Sequence, residues 1–392
     1  MQRRSTTPRL DWKETAEANG FAFHSPDGTV YWDESHCYTF TLAEIEEGLE
    51  APAAEIEGMC LDLVGHAVTD GAMLERLRIP VRFWDYIATS WRNRERHLYG
   101  RMDFGFSGSG PAKLYEYNAD TPTSLYESSV FQWIWLEQMR QRRALEASAD
   151  QFNSLHERLV DAFARFGVPN GTLHLAATGA SIEDMGTIAY LADCARQAGL
   201  TAHEMAIEDI GVVVRGKFTD TSDRVIEALF KLYPWEWLLA EEFAAHIPAS
   251  GCQFIEPAWK SILSNKGLMA LLWEAHPGHP NLLPAYFDGD PRAADLGDRY
   301  VRKPIYSREG ANIEVVLPGR TGRRALTSGS PGPYGAEGHI VQAWHPLPRF
   351  HGRRPVCGVW LVAGEPAGLG IREGDGDVTT DAARFVPHMI LD

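Results

Sequence analysis

Residues 99–127 read YGRMDFGFSGSGPAKLYEYNADTPTSLYE and contain two stretches of alternating polar and apolar residues. RMDFGF and KLYEYN have the period of half-buried strands, and SGSGPA between them is a turn. Antiparallel pairing about that turn sets Asp103 opposite Glu116 and Arg101 opposite Asn118. Because residues two apart in a strand share a face, the pattern predicts that these four side chains form one patch.

Two carboxylates and an amide oxygen are ligands that suit Mg²⁺, which shares its remaining positions with waters and phosphates. Arg101 beside them has the donor geometry to hold a phosphate or a carboxylate. The alternative is a surface hairpin with solvated ion pairs, which is the commoner situation for charged strand faces. Aromatic residues on both sides of the hairpin, and the run of short oxygen side chains from 118 to 124, favour the buried site.

Length and composition limit the functional classes. A chain of 392 residues with 44% hydrophobic residues buries a large core and divides into two or three lobes of one enzyme-like body. A net charge of -16 argues against binding to nucleic acid or to anionic membranes. Five scattered cysteines without a CxxC motif indicate neither a disulfide framework nor a zinc site.

No apolar run reaches the roughly 20 residues of a membrane span, and the first twenty residues lack an apolar signal segment. We therefore expect a cytoplasmic protein with no membrane partner. The sequence gives no prediction of oligomeric state.

Residues 9–50 are predicted to form a small cap. A helix is predicted to begin near its end, with Thr41 and Glu44 forming a capping box at the helix N-terminus. TLHLAATG, SIEDMGTIAYLADCARQAGL and TAHEMAIEDI predict a strand, a helix and a strand. Glu183 and Asp184 lie in the first turn of that helix, where they either bind a substrate amine or complement the helix dipole. The segment DRVIEALFKLYPWEWLLAEEFA is predicted to be helical up to Pro234.

The second half of the chain carries another informative region. Lys260 and Lys266 lie where a loop passes into a helix, and Lys303 lies inside the apolar strand YVRKPIY. A buried lysine needs an anion, and a nucleotide phosphate would serve. The turn at 307–312 contains Gly310, which is a weak signal for a loop that covers phosphates. The nucleotide-binding motifs GxxxxGK[ST] and GxGxxG are both missing from the sequence. Residues 319–337 are rich in Gly, Ser and Pro and predict a mobile lid.

RMDF…YEYNADTPTS, EPAWKSILSNK, YVRKPIYSREGANI, GHIVQAW, VCGVWLVAGEPAGLGIRE and ARFVPH together resemble the glutathionylspermidine synthase family. The resemblance covers the synthetase part of that family, from about residue 10 to the end, in the manner of its stand-alone members without the amidase domain. It implies a mixed α+β or α/β architecture with the ATP-grasp fold over residues 1–392. It further implies a Rossmann-like substrate subdomain at about 170–250 and an ATP-binding lid region at about 255–345.

The resemblance also implies roles for individual residues, matched motif by motif. Its cofactors would be ATP and Mg²⁺. The implied contacts are Mg²⁺ with Asp103, Glu116 and Asn118; the transferring phosphate with Arg101 and Arg372; ATP with Lys260, Lys303, Gly310 and Gln342; and substrate with Thr121, Thr123, Glu183 and Asp184.

The function that follows is an ATP-dependent carboxylate–amine ligase that joins a small-molecule or peptide carboxylate to an amine through an acyl phosphate. A phosphotransferase on the same fold is one alternative, and a nucleotide-binding protein without turnover is another. The product distinguishes the first alternative, because an amide differs from a phosphate ester. The acid and the amine are not encoded in any motif of the sequence.

Overall fold

The computed structural model describes residues 1–213, 215–319, 324–380 and 382–391. Its strands are β1 Gln2–Ser5, β2 His36–Phe40, β3 Tyr99–Gly105, β4 Lys113–Asn118, β5 Thr172–Ala177, β6 Thr201–Ala206, β7 Gly211–Val213, β8 Lys217–Thr219, β9 Ala228–Leu232, β10 Gln253–Ile255, β11 Ala285–Phe287, β12 Tyr300–Pro304, β13 Glu314–Pro318, β14 Arg324–Ser328, β15 His339–Ala343, β16 Arg354–Val362, β17 Glu365–Gly374, β18 Arg384–Val386 and β19 His388–Ile390. Its α-helices are α1 Trp12–Ala18, α2 Leu42–Ile45, α3 Ala51–Ala67, α4 Gly71–Arg76, α5 Trp84–Arg92, α6 Gln132–Gln141, α7 Leu155–Arg165, α8 Ile182–Gln197, α9 Trp235–Leu238 and α10 Gly267–Ala275.

The hairpin of β3 and β4 forms one side of a five-stranded antiparallel sheet with the order β18-β17-β16-β3-β4. The predicted register is confirmed, since Asp103 pairs with Glu116 and Arg101 with Asn118. All seven residues of β3 are buried, so the alternative of a solvated surface hairpin is wrong. A register shift after Asp103 bends the hairpin beyond the patch.

A second antiparallel sheet has the order β11-β15-β12-β13-β14. The predicted strand YVRKPIY corresponds to β12, and its Lys303 is 6% exposed. The lid predicted at 319–337 falls partly outside the described residues, at 320–323, while 324–328 forms β14 paired with β13. This sheet supplies the wall that faces the β3–β4 hairpin across a cavity.

The α/β unit is confirmed as a parallel sheet with the order β10-β9-β5-β6, with α8 joining β5 to β6. The prediction of a helix before Pro234 is wrong at residues 228–232, which form β9 between β5 and β10. Every residue of β9 is buried. A strand covered on both faces reads as a continuous apolar run, and such a run fits a buried helix equally well.

The first residues of the chain support the central sheet. β1 and β2 form a three-stranded sheet with β19, and Arg3 on β1 donates to both carboxylate oxygens of Glu373 at 2.8 and 2.7 Å. Tyr38 on β2 donates to the same carboxylate at 2.7 Å. Glu373 on β17 is 1% exposed, so this buried acid is neutralised entirely by the N-terminal sheet.

The predicted capping box is confirmed, because Thr41 accepts from the Glu44 N–H while the Glu44 side chain accepts from the Thr41 N–H. The helical stripe after Pro122 is divided into α6 and α7, which pack into the second of two large apolar clusters. Across the described ranges, no helix combines the length and the apolar character needed to cross a membrane.

Candidate active site

The cavity between the two five-stranded sheets brings together most of the residues predicted for the site. From the predicted set, its walls contain Arg101, Asp103, Glu116, Asn118, Thr121, Thr123, Lys303, Gly310, Gln342 and Arg372. One wall is the patch on β3, β4 and β17, and the other is the face of β12, β13 and β15. The apolar part of the cavity, which includes Val301, Val315, Trp344 and Leu347, surrounds Gln342.

Asp103 is the centre of the charged wall and is 3% exposed. Arg101 donates to its two oxygens at 2.7 and 3.1 Å, and Arg372 donates to Oδ2 at 2.7 Å. Asn118 donates to the same Oδ2 at 3.2 Å and to Glu116 at 3.4 Å. Charge-assisted bonds of this kind are among the strongest in proteins, so the patch is held rigidly before any ligand arrives.

The guanidinium of Arg101 is positioned by its neighbours on three sides. It also donates to the backbone oxygen of Thr123, and its carbon lies 5.6 Å from the centre of the Trp360 ring. Gly358 on the adjacent strand β16 leaves room for it, because a Cβ there would lie 2.8 Å from Arg101 Cδ. The sheet therefore fixes the arginine by contact as well as by charge.

Glu116 faces two lysines. Burial alone would raise the pKa of Glu116, but the charges of Lys266 and Lys303 outweigh it and hold this pKa well below its usual range. Lys266 lies 2.9 Å from the carboxylate and donates to the backbone oxygen of Ser307. Burial lowers the pKa of Lys303 to about 8 despite the nearby Glu116, and its Nζ donates to the Tyr115 carbonyl at 2.9 Å.

Lys260, predicted to contact ATP, does not reach the cavity. Its side chain is fully buried, and its Nζ donates to the carbonyls of Tyr99 and Ala119 at 2.9 and 3.0 Å. The Glu256 carboxylate lies 3.4 Å away. The lysine that reaches the charged wall is Lys266, six residues on, which lies 2.9 Å from Glu116.

The turn around Gly310 covers one end of the cavity. Gly310 has a φ of +71°, and Glu309 and Asn312 on either side are also in the left-handed region. Arg308 extends from this turn to Thr121, whose hydroxyl accepts at 2.7 Å, and to Glu236 at 2.8 Å. The turn thus ties the second sheet to the loop that follows β4, and sequence reasoning gave Arg308 no role.

A group of buried acids lies behind Arg101. Glu127 is 0% exposed and accepts from the Tyr31 hydroxyl, while its Oε2 has no hydrogen-bond partner among the described residues. Burial, and then the negative charge of Glu183, raise the pKa of Glu127 to about 8. Ser124, which meets the same tyrosine at 3.0 Å, has a φ of +69° although it is not a glycine.

Glu183 and Asp184 lie in the first turn of α8 and do not line the cavity. The Asp184 N–H is capped by the hydroxyl of Ser181 at 3.2 Å, as the helix-terminus interpretation expects. Burial, followed by the charge of Asp184, raises the pKa of Glu183 to about 7, while Arg372 and Arg101 act to lower it. Glu183 is therefore electrostatically coupled to the site without touching its cavity.

Asp103 and Glu116 bring two carboxylates together on the charged wall, the kind of ligand that Mg²⁺ takes. Asn118 lies between them and donates from Nδ2 to both, at 3.2 and 3.4 Å, so its amide group would have to turn over to offer its oxygen to a metal. In the described part of the chain, no three His, Cys, Asp or Glu side chains form a separate metal cluster. The carboxylates of this wall are hard oxygen ligands, unlike the nitrogen and sulfur ligands typical of zinc sites.

Sequence reasoning gave no role to Tyr31, Glu127 or the Arg308 side chain, and it named Lys266 without assigning it a contact. Tyr31 and Glu127 are 96 residues apart, and neither lies in a motif that marks it. Lys266 lies in the same segment as Lys260, EPAWKSILSNK, so its position in that segment could have indicated a place at the site.

Comparison with known proteins gives matches over nearly the whole chain. The sequence model described as "Glutathionylspermidine synthase preATP-grasp" matches residues 3–391. A Haemophilus influenzae protein, described provisionally as an acid–amine ligase, is 43% identical over 381 residues, which cover 95% of each chain. The bifunctional glutathionylspermidine synthetase/amidase of Escherichia coli is 25% identical, over 97% of this chain and 63% of its own length.

Trypanothione synthetase of Crithidia fasciculata is 24% identical, over 84% of this chain and 53% of its own length. The chain thus spans between half and two thirds of these two longer relatives. Among solved structures, a glutathione synthetase-like effector from Globodera pallida covers 98% of both chains with a TM-score of 0.57 and 10% identity. At that identity the likeness concerns the fold alone.

Proposed function

The chain belongs to the glutathionylspermidine synthase family, and on that premise we propose that it is an ATP- and Mg²⁺-dependent carboxylate–amine ligase. The observation that carries the proposal is the convergence of Arg101, Asp103, Lys303 and Arg372 on one cavity between two antiparallel sheets. Phosphoryl transfer depends on positioned cations and a metal site rather than on a covalent protein nucleophile, and this wall is composed in that way.

Asp103, Glu116 and Asn118 would hold Mg²⁺, which when bound neutralises phosphate charge during transfer. Lys303 would bind ATP phosphates under the turn at Gly310, and the base would occupy the apolar end around Gln342. Lys266, which contacts Glu116 from the adjoining smaller pocket, would add a second cation on the phosphate side. Lys260 is left out of this assignment because its ammonium group is already held by two carbonyls and Glu256. Its role is to hold β3 in place.

A carboxylate becomes reactive toward an amine once its oxygen is phosphorylated, since phosphate leaves where oxide does not. The attacking amine must be unprotonated and must lose a further proton as the amide forms. Arg101 and Arg372 would stabilise the charge on the transferring phosphoryl group and on the tetrahedral adduct. Thr121 and Thr123 border the cavity where the substrate carboxylate would lie.

The acids in the first turn of α8 fit the amine side of this reaction. Glu183 and Asp184, both half-buried, would attract a cationic amine, and Glu183, whose pKa is raised to about 7, is suited to accept its proton. We assign residues of about 170–250 to the substrate subdomain and residues of about 255–345 to the nucleotide lid region, in a cytoplasmic enzyme. The carboxylate is a small molecule or a peptide, and the amine is cationic.

The test is ADP release by the purified chain with ATP, Mg²⁺ and pairs of carboxylates and amines, with the products identified by mass. Asp103→Ala should abolish the release, while Asp161→Ala, which breaks only an exposed pair with Arg165, should not change it. An Asp103→Ala protein that turns over at the wild-type rate refutes the site. A phosphate ester as product would establish the phosphotransferase, and ATP binding without turnover on any pair would establish the non-catalytic alternative.

A further inference from the structure

A second cleft, separate from the cavity between the sheets, is unusually basic for this protein. It lies between the segment that follows α5, the helix α7 and the β16–β17 turn, it measures about 930 Å³, and it shares no lining residue with the first cavity. Five arginines line it against three acidic residues, in a chain whose net charge is -16. These arginines are Arg92, Arg94, Arg96, Arg158 and Arg165, and we call this region the arginine cleft.

Ordinary structural roles account for only part of this charge. Arg92 and Arg165 end the helices α5 and α7, where a cation is favourable at the helix C-terminus. Arg165 also pairs with Asp161 at 2.9 Å. Arg94 and Arg96 follow the end of α5, and in the described ranges their guanidinium groups have neither an ion pair nor a hydrogen bond. Like charges gathered in this way repel one another unless an anion joins them.

The floor of the cleft is aromatic. Trp259 is 2% exposed and packs edge-on against Trp91 and His97, with ring centres 5.2 and 5.1 Å apart. Phe166 and Val362 lie beneath this floor and are nearly fully buried, so the half-buried Trp91 presents most of the floor's aromatic surface. The Nδ1 atom of His97 is buried and has no hydrogen-bond partner among the described residues. An apolar floor below a rim of free guanidinium groups suits a flat molecule that carries an anionic group at one edge.

We propose that the arginine cleft is a second ligand site, which binds a small organic anion with a phosphate or carboxylate group beside a planar ring. The ring would lie on the half-buried Trp91, which Trp259 supports from below, and the anionic group would be held by Arg94 and Arg96. The site goes beyond the ligase chemistry and does not depend on it. It lies at the start of β3, because His97 precedes Leu98 and Tyr99, whose N–H groups are held by the Glu256 carboxylate.

The test uses calorimetry on the full chain with 1-naphthyl phosphate and 1-naphthoate as probes. Inorganic phosphate and neutral 1-naphthol each present half of the predicted ligand. We expect at least one of the two complete probes to bind at least tenfold more tightly than either half, and its binding to weaken as salt is added. The stronger of the two complete probes identifies the anionic group. Failure of both to bind, or binding no tighter than that of 1-naphthol, overturns the proposal.

The variant Arg94→Gln/Arg96→Gln should weaken binding of the complete probe at least tenfold. The control is Arg143→Gln/Arg299→Gln, which removes two exposed charges elsewhere on the chain. Arg143 matches Arg94, because each residue has a positive φ and lies just after the end of a helix. The control and the variant Lys303→Gln should both bind the probe as the wild type does. Loss of binding in Lys303→Gln but not in the Arg94/Arg96 variant would place the probe in the first cavity and refute the second site. ADP release is measured separately, so failure of the ligase proposal leaves this result interpretable.

Discussion

Replacing Glu127 by Gln tests whether the buried acid behind Arg101 is protonated in the folded protein. The carboxyl is 0% exposed, accepts one hydrogen bond from Tyr31, and has an Oε2 without a partner in the described part of the chain. Burial and the charge of Glu183 raise its pKa from 4.5 to about 8. The folded chain therefore keeps this proton at a pH where the unfolded chain has lost it.

The sign of the effect follows from proton linkage. Between the two pKa values the folded state binds one proton more than the unfolded state, so the free energy of unfolding falls as pH rises. The slope is about 1.4 kcal/mol per pH unit, which amounts to about 4 kcal/mol between pH 5 and pH 8. Above the folded pKa the contribution becomes constant, because both states are then ionised.

Gln is neutral at every pH, so the Glu127→Gln variant lacks this slope. Urea unfolding of both proteins at pH 5, 6, 7 and 8 gives the free energy of unfolding at each pH. From pH 5 to pH 8, the free energy of unfolding of the variant should rise by about 4 kcal/mol relative to that of the wild type. Glu183 and Glu256, whose pKa values burial raises to about 7, remain in both proteins, so most of their contribution cancels in the difference.

The reasoning is refuted if the difference between variant and wild type is the same at pH 5 and pH 8. In that case Glu127 is ionised in the folded state, and burial does not keep its carboxyl group protonated. Glu157→Gln is the control, since this glutamate is exposed and its replacement should leave the pH dependence unchanged.

Two further comparisons separate structural from catalytic side chains. Lys260→Met should lower the free energy of unfolding, measured in urea, by about 3–5 kcal/mol, because it leaves a buried ion network without its cation. Lys303→Met should abolish ADP release with a smaller loss of stability. The reverse pattern would restore Lys260 as an ATP ligand. Gly358→Ala should cost about 1–3 kcal/mol and reduce turnover by displacing Arg101, since its Cβ would lie 2.8 Å from that side chain. Gly374→Ala, with nothing within 4 Å of its Cβ, should leave both stability and turnover unchanged, and equal effects of the two would contradict this account.

The hairpin could be predicted from the sequence because its information is local. Alternation with a period of two fixes which side chains share a face, and a short turn fixes the register. Asp103, Glu116, Arg101 and Asn118 were therefore placed correctly relative to one another. The burial of the hairpin was not local information, although the flanking aromatic residues indicated it.

The errors arise where distant parts of the chain decide the outcome. Strand β9 was predicted as helix because an apolar run buried on both faces has no distinguishing period. Its Lys231 is matched by Asp120 at 2.7 Å, a partner 111 residues away. Lys260 and Lys266 lie in one short segment, and only the packing of that segment decides which lysine meets the carbonyls of β3 and which meets Glu116.

Strand β17 has a practical consequence at the opposite end of the chain. Neighbouring residues of a strand point to opposite faces, so Arg372 meets Asp103 on one side while Glu373 meets Arg3 on the other. Trimming residues 1–5 would remove Arg3 and leave a buried, unpaired acid next to a proposed catalytic arginine. Truncations at this end would therefore alter the strand that carries Arg372.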